Sequence, residues 1–155
     1  MEIIWTSAVA VAGTLLGSVV THTFQRLAAK RTELFTRSEA LRQERITAYS
    51  TFAGAVEDYR HGQAKRWYSG QEDPDGKAYR AARDEAHLLR TRARQALYRV
   101  RLLTEDGEVT RTAEQAYRCT REVSIAEDGA DRDVRDARAK QAIEEFVSAA
   151  SALVR

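Results

Sequence analysis

Apolar residues follow two different patterns along this chain. From Ile3 to Val20 the sequence contains no ionisable side chain, whereas charged residues are frequent from Arg26 onward. In the charged part, apolar residues recur at steps of three and four, which is the spacing of one face of an α-helix. No segment alternates between apolar and polar residues with a period of two, so strands are not expected. The pattern predicts an all-α protein that begins with one uncharged helix.

The uncharged run is long enough to span a membrane as a helix. At about 1.5 Å per residue, a helix over Ile3–Val20 measures roughly 27 Å, close to the thickness of the hydrocarbon core of a bilayer. Glu2 precedes the run and basic residues follow it, so the positive-inside rule places the N-terminus outside and the C-terminal part in the cytoplasm. We predict a single-pass anchor in the cell membrane over residues 1–23. The alternative is a buried helix of a soluble protein, because threonine and serine residues reduce the hydrophobicity of the run.

Within this anchor, small residues recur at every fourth position. Gly13, Gly17 and Thr21 form the pattern GxxxGxxxT, which puts all three on one face of a helix. Two helices can approach closely at the glycines, and the threonine hydroxyl can bond its own helix or the neighbouring one. The pattern predicts a transmembrane dimerisation face. The alternative is an anchor in which the glycines have no special role.

The next segment is predicted to continue the same helix as a stalk over residues 24–40. Leu27, Leu34 and Leu41 recur every seven residues, which is the spacing of a coiled-coil seam. The alternate heptad positions include arginine, so this seam is a weak one. It could extend a parallel pairing that begins in the membrane.

The remaining residues, 41–155, predict a cytoplasmic helical bundle. Turn residues interrupt the helical pattern three times, and the first loop holds the single proline of the chain. The expected helices are 24–68, 77–104, 109–127 and one that begins with Asp131 as its N-cap, separated by loops at 69–76, 105–107 and 127–131. About four helices joined by short loops favour an antiparallel, up-and-down arrangement.

Helical spacing also predicts which side chains of the bundle face its core. Gly54 is expected to permit close packing of helices, and the lone Cys119, which excludes an intramolecular disulfide, is expected to be a buried core residue. The predicted core residues are Ala48, Tyr49, Phe52, Val56 and Tyr59 in the first helix, Ala82, Ala86, Leu89, Ala93, Ala96, Leu97, Val100 and Leu103 in the second, Ala113, Ala116, Tyr117, Thr120 and Val123 in the third, and Val134, Ala137, Ile143, Phe146, Val147, Ala150 and Leu153 in the fourth.

The second helix carries a basic stripe that could bind anions. Five residues share this face by their spacing: Arg83, His87, Arg90, Arg94 and Arg101. Such a stripe could bind the phosphates of nucleic acid. The alternative, which we favour, is that neighbouring acidic residues supply counter-charges, since the net charge of the whole chain is only +2.

A second candidate surface lies near the end of the first helix. Lys65, Arg66, Trp67 and Tyr68 combine two bases with two aromatic rings, as in many protein-docking patches. The alternative is that the aromatic rings close one end of the bundle and keep their polar edges in water.

Motifs for catalysis, cofactors and metals are absent from the sequence. The three histidines are far apart and lack the spacing of metal ligands. Asp131 and Asp133 lack the glycine and the final glutamate of a calcium loop. No nucleophile elbow or phosphate-binding glycine loop occurs. We therefore expect a protein that is not an enzyme and binds no cofactor.

Several stretches resemble a known family of small actinomycete proteins, the KilB-like proteins. They are WTSAVAVAGTLLGSVVTHTFQR, LRQERITAYSTFAGAVEDYRHGQAKRW, EDPDG, LYRVRLL and FVSAASALVR. The resemblance implies a membrane-associated protein linked to the spread of conjugative plasmids within a mycelium, and it implies no catalytic residues. We expect a membrane-anchored scaffold that forms homo-oligomers and binds a further, unidentified protein. A membrane-tethered module that binds nucleic acid through the second helix is the alternative.

Overall fold

The structure, a computed structural model, describes the backbone of residues 2–154 and the side chains of Gln25, Glu33 and residues 35–154. Its helices are α1 (Glu2–Glu72), α2 (Lys77–Leu103), α3 (Gly107–Glu122), a 3₁₀ helix (Val123–Ile125) and α4 (Gly129–Ala152). The described backbone contains no strand. The all-α class and the number of four main helices are therefore confirmed. Contacts divide the chain into two compact units, Met1–Leu41 and Arg42–Arg155.

Aspartate side chains cap the last two helices at their N-termini. Asp106 accepts hydrogen bonds of 2.9 Å from the backbone N–H groups of Glu108 and Val109 at the start of α3. Asp128 accepts one of 2.8 Å from the N–H group of Asp131 at the start of α4. The first turn of a helix has N–H groups without helical partners, and these carboxylates satisfy them.

The prediction that Asp131 is the N-cap of the fourth helix is wrong, since Asp128 has that position. Asp131 lies in the first turn of α4, where its carboxylate accepts a hydrogen bond of 3.0 Å from the N–H group of Glu127 and further bonds from Arg135. The bond from Glu127, followed by those from Arg135, lowers the pKa of Asp131. The two aspartates thus cap the helix together, in a variant of the capping box in which Asp131 bonds the N–H group one residue before the N-cap.

Two other helix ends differ from the predicted ones. The first helix continues to Glu72, so the loop that was expected at 69–76 is shortened to the four residues 73–76. The ring of Tyr79 lies so close to Gly70 that a Cβ atom there would be 3.2 Å from it, and glycine therefore lets α2 pack against this last turn. The third helix ends at Glu122, and the 3₁₀ helix replaces its predicted last turn.

Contacts between α1 and α2 show that these two helices run antiparallel. Near the start of the bundle, Arg45 Nε donates a hydrogen bond of 2.8 Å to the carbonyl oxygen of Leu103, at the end of α2. Twenty residues further along α1, Lys65 Nζ lies 2.6 Å from Glu85 Oε2, in the first half of α2. The bond from Arg45 also satisfies a carbonyl that has no partner within its own helix.

The other two helices complete an up-and-down bundle around α1. Helix α4 is antiparallel to α1, because Phe52 contacts Phe146 whereas Arg60, further along α1, contacts Asp136. Helix α3 is parallel to α1, since α1 meets its middle at Tyr117 and its end at Arg121. This topology agrees with the arrangement expected for four helices joined by short loops.

The core is centred on aromatic and small side chains. Phe52 and Phe146 are fully buried, with ring centroids 4.9 Å apart in an edge-to-face arrangement. The predicted core residues of the first helix are all buried, as is Cys119, and most of those of the second and third helices are too. Leu89 and Leu103, by contrast, are only partly buried.

The core face of the fourth helix was predicted less well. Ile143, Phe146 and Ala150 are buried as expected, and Ala139 and Ala142 join them. Four residues predicted to face the core are exposed: Val134, Ala137, Val147 and Leu153. Alanines supply much of the true face and also occur off it, so apolar spacing alone does not distinguish the two sides.

Gly62 rather than Gly54 permits the close approach of helices. A Cβ atom at Gly62 would lie 2.6 Å from Leu89 Cδ1 and 3.7 Å from Ala86 Cα, so α2 packs directly against the backbone of α1 here. A Cβ atom at Gly54 would have no neighbour within 4 Å. The packing role predicted for Gly54 is therefore wrong, because this glycine faces open space.

Several predictions concern side chains outside the described residues: the uncharged run of the anchor over residues 1–23, the dimerisation face Gly13, Gly17 and Thr21, and the seam leucines Leu27 and Leu34. The third seam residue, Leu41, is 41% exposed. Among the residues that were described, none of the helices combines the length and the apolar character needed to cross a membrane.

Candidate functional site

The four residues of the predicted docking patch lie on α1, but their side chains contact different neighbouring parts of the bundle. Trp67 Nε1 donates a hydrogen bond of 2.9 Å to the carbonyl oxygen of Ala126, and Lys65 forms an ion pair with Glu85 of α2. The guanidinium of Arg132 stacks over the rings of Trp67 and Tyr68, with its carbon 4.6 Å from the Tyr68 centroid. Trp67 and Tyr68 thus attach the end of α1 to the start of α4, by a hydrogen bond and a cation–π contact.

Ion pairs occupy part of the predicted basic face of α2. Arg101 lies 3.2 Å from Glu114 of α3, and Arg83 lies 3.6 Å from Asp84. Arg94 is exposed. The remaining two residues, His87 and Arg90, face a different environment from the rest of the stripe, because they line a cavity.

This cavity, which we call the arginine cavity, lies between α1, α2 and the end of α3 and has a volume of about 100 Å³. It brings together residues from both predicted surfaces with one that sequence reasoning missed. Its basic lining residues are Arg66, His87, Arg90 and Arg121. Arg121 comes one residue before the end of α3, and its position relative to α1 and α2 depends on how the helices pack.

The rest of the arginine cavity is lined by the polar side chains of Tyr59, Gln63 and Ser124 and by the apolar ones of Ala86 and Ile125. Gln63 is buried, and its Nε2 atom donates hydrogen bonds to the Arg121 carbonyl oxygen at 3.0 Å and to Ser124 Oγ at 2.9 Å. These two bonds attach the end of α3 and the 3₁₀ helix to α1. The wall of the cavity that carries Arg121 is therefore held in place by a buried side chain.

Two tyrosines, Tyr59 and Tyr117, lie close to arginines of the cavity. Burial is the main cause that raises the pKa of Tyr59 to about 12, and the nearby guanidinium groups of Arg90, Arg121 and Arg66 oppose this shift. The Tyr117 hydroxyl lies close enough to Arg90 to raise the pKa of that arginine, although it forms no hydrogen bond of ordinary geometry. Tyr59 therefore keeps its proton at neutral pH, as does Arg90.

A separate polar cluster joins α1 to α4, and sequence reasoning missed it. Arg60 is buried and forms two hydrogen bonds with Glu57, at 2.6 and 3.1 Å, and one with Asp136 at 2.5 Å. The hydrogen bonds from Arg60 are the main cause that lowers the pKa of Glu57, against the effect of burial. The spacing of Glu57 and Arg60 was a signal for their pairing, but Asp136 is 76 residues away in the chain.

An apolar groove lies between α1 and α4 at the other end of the bundle. It has a volume of about 330 Å³, and its walls include Ile46, Ala53, Phe146 and Val154. Few polar atoms line it, so its shape and chemistry suit an apolar side chain rather than a charged ligand.

The aspartates that were compared with a calcium loop have structural partners. Asp131 belongs to the cap of α4, and Asp133 forms an ion pair with Arg132 at 2.6 Å. In the part of the chain that the structure describes, no group of three or more histidine, cysteine, aspartate or glutamate side chains could hold a metal ion.

Comparison with known protein families shows what this chain is similar to. Residues 46–154 match a family model whose description is KilB plasmid transfer protein. The matched region includes the arginine cavity, the Arg60 cluster and the apolar groove. No curated protein and no solved structure matches the chain.

Proposed function

Because the chain belongs to the KilB plasmid transfer protein family, we propose that it acts in plasmid transfer as a membrane-anchored helical scaffold. In this proposal the uncharged N-terminal helix lies in the cell membrane and the bundle lies in the cytoplasm. The protein associates with further copies of itself and works by binding rather than by catalysis.

The observation that carries this proposal is the continuity of α1. One helix runs without a break from Glu2 to Glu72, so it joins the uncharged segment directly to the region that matches the family. This connection supports a role in which the membrane segment determines where the bundle is held.

The interior of the bundle supports a role in binding. Two of its buried polar side chains, Arg60 and Gln63, form hydrogen bonds that hold helices together. Trp67 uses its indole N–H in the same way. These groups are committed to the packing of the bundle, as expected of a scaffold whose surface, rather than its interior, makes the functional contacts.

The test of anchoring is fractionation of the full-length protein. We expect it to sediment with membranes and to stay there after carbonate extraction, since an uncharged helix of this length matches the bilayer core. A variant that lacks residues 1–23 should move to the supernatant. Recovery of the full-length protein in the cytosolic fraction would contradict the proposal.

Self-association is tested separately, by crosslinking of the full-length protein in detergent. Gly13→Ile with Gly17→Ile keeps the segment apolar but removes the groove through which two helices could approach. We expect this double variant to insert normally and to lose crosslinked dimers. Ala8→Ile with Ser18→Ile is the matched control, because its helical spacing puts the same side chains on the opposite face. Equal crosslinking of both double variants would show that the glycines are not an interface.

A further inference from the structure

We propose that the arginine cavity is a binding site for the terminal phosphate group of a small phosphate monoester. Arg66 of α1, Arg90 of α2 and Arg121 of α3 would surround the phosphate oxygens, while the rest of the ligand projects into solvent. This site goes beyond the proposed scaffold function and does not depend on it.

The first argument is the absence of counter-charges at the cavity. Among the described residues, several arginines of the bundle pair with a carboxylate, including Arg60, Arg101 and Arg135. The three arginines of the cavity form no ion pair with any carboxylate whose position the structure describes. Three arginines at one small cavity give it a local positive charge, which would attract a bound dianion.

The second argument is that the neutral polar groups at the cavity can also donate hydrogen bonds. Ser124 Oγ accepts a bond from Gln63, which leaves the hydroxyl proton of Ser124 free to be donated elsewhere. Tyr59, with its raised pKa of about 12, keeps its own proton at neutral pH. A phosphate dianion presents only acceptor atoms, so hydroxyl groups and guanidinium groups both complement it.

The third argument is the size and the construction of the cavity. A volume of about 100 Å³ is smaller than that of ordinary small-molecule pockets, so it can hold a phosphate group but not a whole nucleotide. Gln63 fixes the wall that carries Arg121. A small, partly open space of this kind suits a terminal phosphate, whereas the backbone of nucleic acid needs an extended basic surface. The stripe on α2 provides little of the latter, because Arg83 and Arg101 are paired.

The experiment measures binding of glycerol 3-phosphate and inorganic phosphate to the full-length protein in detergent, by calorimetry at constant ionic strength. We expect saturable binding at one site, with inorganic phosphate competing and acetate binding much more weakly. Arg90→Gln with Arg121→Gln should weaken binding at least about a hundredfold, since a hydrogen bond to a charged group contributes roughly tenfold or more in affinity.

The matched control is Arg94→Gln with Arg111→Gln, which removes one exposed arginine from each of the same two helices. We expect this control to bind as the unchanged protein does. Arg121→Gln alone alters an exposed side chain, so it provides a folded variant if the double change unfolds the bundle. The proposal is overturned if phosphate does not bind, if both double variants bind equally, or if duplex DNA binds and phosphate does not compete with it.

Discussion

The two halves of α1 within the bundle contact their neighbours by different means. From Ala48 to Val56 the buried side chains are mainly apolar, and the contact with α4 is made by the Phe52 and Phe146 rings. From Glu57 to Trp67 the ring contact of Tyr59 with Tyr117 is joined by hydrogen bonds from Arg60, Gln63 and Trp67 to residues between Arg121 and Asp136. Burial of apolar surface is not directional, whereas hydrogen bonds require particular partners. We infer that the first half supplies most of the stabilisation and that the second half sets the register of the helices.

The largest expected effect is in the apolar half. Phe146→Ala should lower the free energy of unfolding by about 3–5 kcal/mol, because it removes a fully buried ring and leaves a cavity beside Phe52. Urea unfolding of the full-length protein in detergent, followed by circular dichroism, measures this loss. Val147→Ala, at an exposed neighbour, is the control and should change stability much less. Similar losses for the two variants would show that the apolar half is not the main source of stability.

The next effect is in the polar half. Arg60→Ala should lower the free energy of unfolding by about 2 kcal/mol, because it leaves the carboxylates of Glu57 and Asp136 without their partner. The loss should be smaller than for a fully buried ion pair, since both carboxylates are partly exposed. Arg83→Ala is the control, because this arginine pairs only with its neighbour Asp84 at the surface. A loss as large as that of Phe146→Ala would reverse the ranking of the two halves.

The same cluster predicts a dependence of stability on acid. The pKa of Glu57 is lower in the folded protein than its ordinary value of 4.5. Its contribution is therefore fully present above about pH 4.5 and is lost as the pH falls through the lower, folded-state value. We expect urea midpoints to fall over this range, and the fall to be smaller in Glu57→Gln, which cannot titrate at this position. An identical pH profile for the variant would show that other carboxylates cause the acid sensitivity.

The smallest expected effects come from two of the glycines in α1, Gly54 and Gly62. Gly54→Ala should raise the free energy of unfolding by about 0.5–1 kcal/mol, because alanine favours the helix and its Cβ atom would meet nothing within 4 Å. Gly62→Ala should gain less or lose stability, since its Cβ atom would come within 2.6 Å of Leu89 Cδ1. Thermal unfolding of the two variants side by side measures the difference. An equal gain for both would mean that Leu89 moves away at no cost.

Sequence reasoning was sufficient for features that depend on neighbouring residues. Helical spacing predicted the four helices and the core face from Ala48 to Tyr59, because a strongly apolar stripe can be buried on only one side of a helix. It predicted the face of α4 poorly, since alanine occurs on both sides of that helix. It also assigned close packing to Gly54, whereas Gly62 provides it. The packing of a glycine depends on the residue that lies opposite, and this residue belongs to another helix.

In the candidate site, too, local features could be predicted from the sequence, whereas contacts between helices could not. His87, Arg90 and Arg66 were recognised as basic residues on two separate surfaces, because their spacing and composition are local properties of the chain. Only the tertiary structure places them at one cavity with Arg121 and leaves them without acidic partners there. It likewise brings Asp136 to Arg60. Contacts between helices depend on register and on shape across residues far apart in the chain, and no local pattern of a single sequence contains that information.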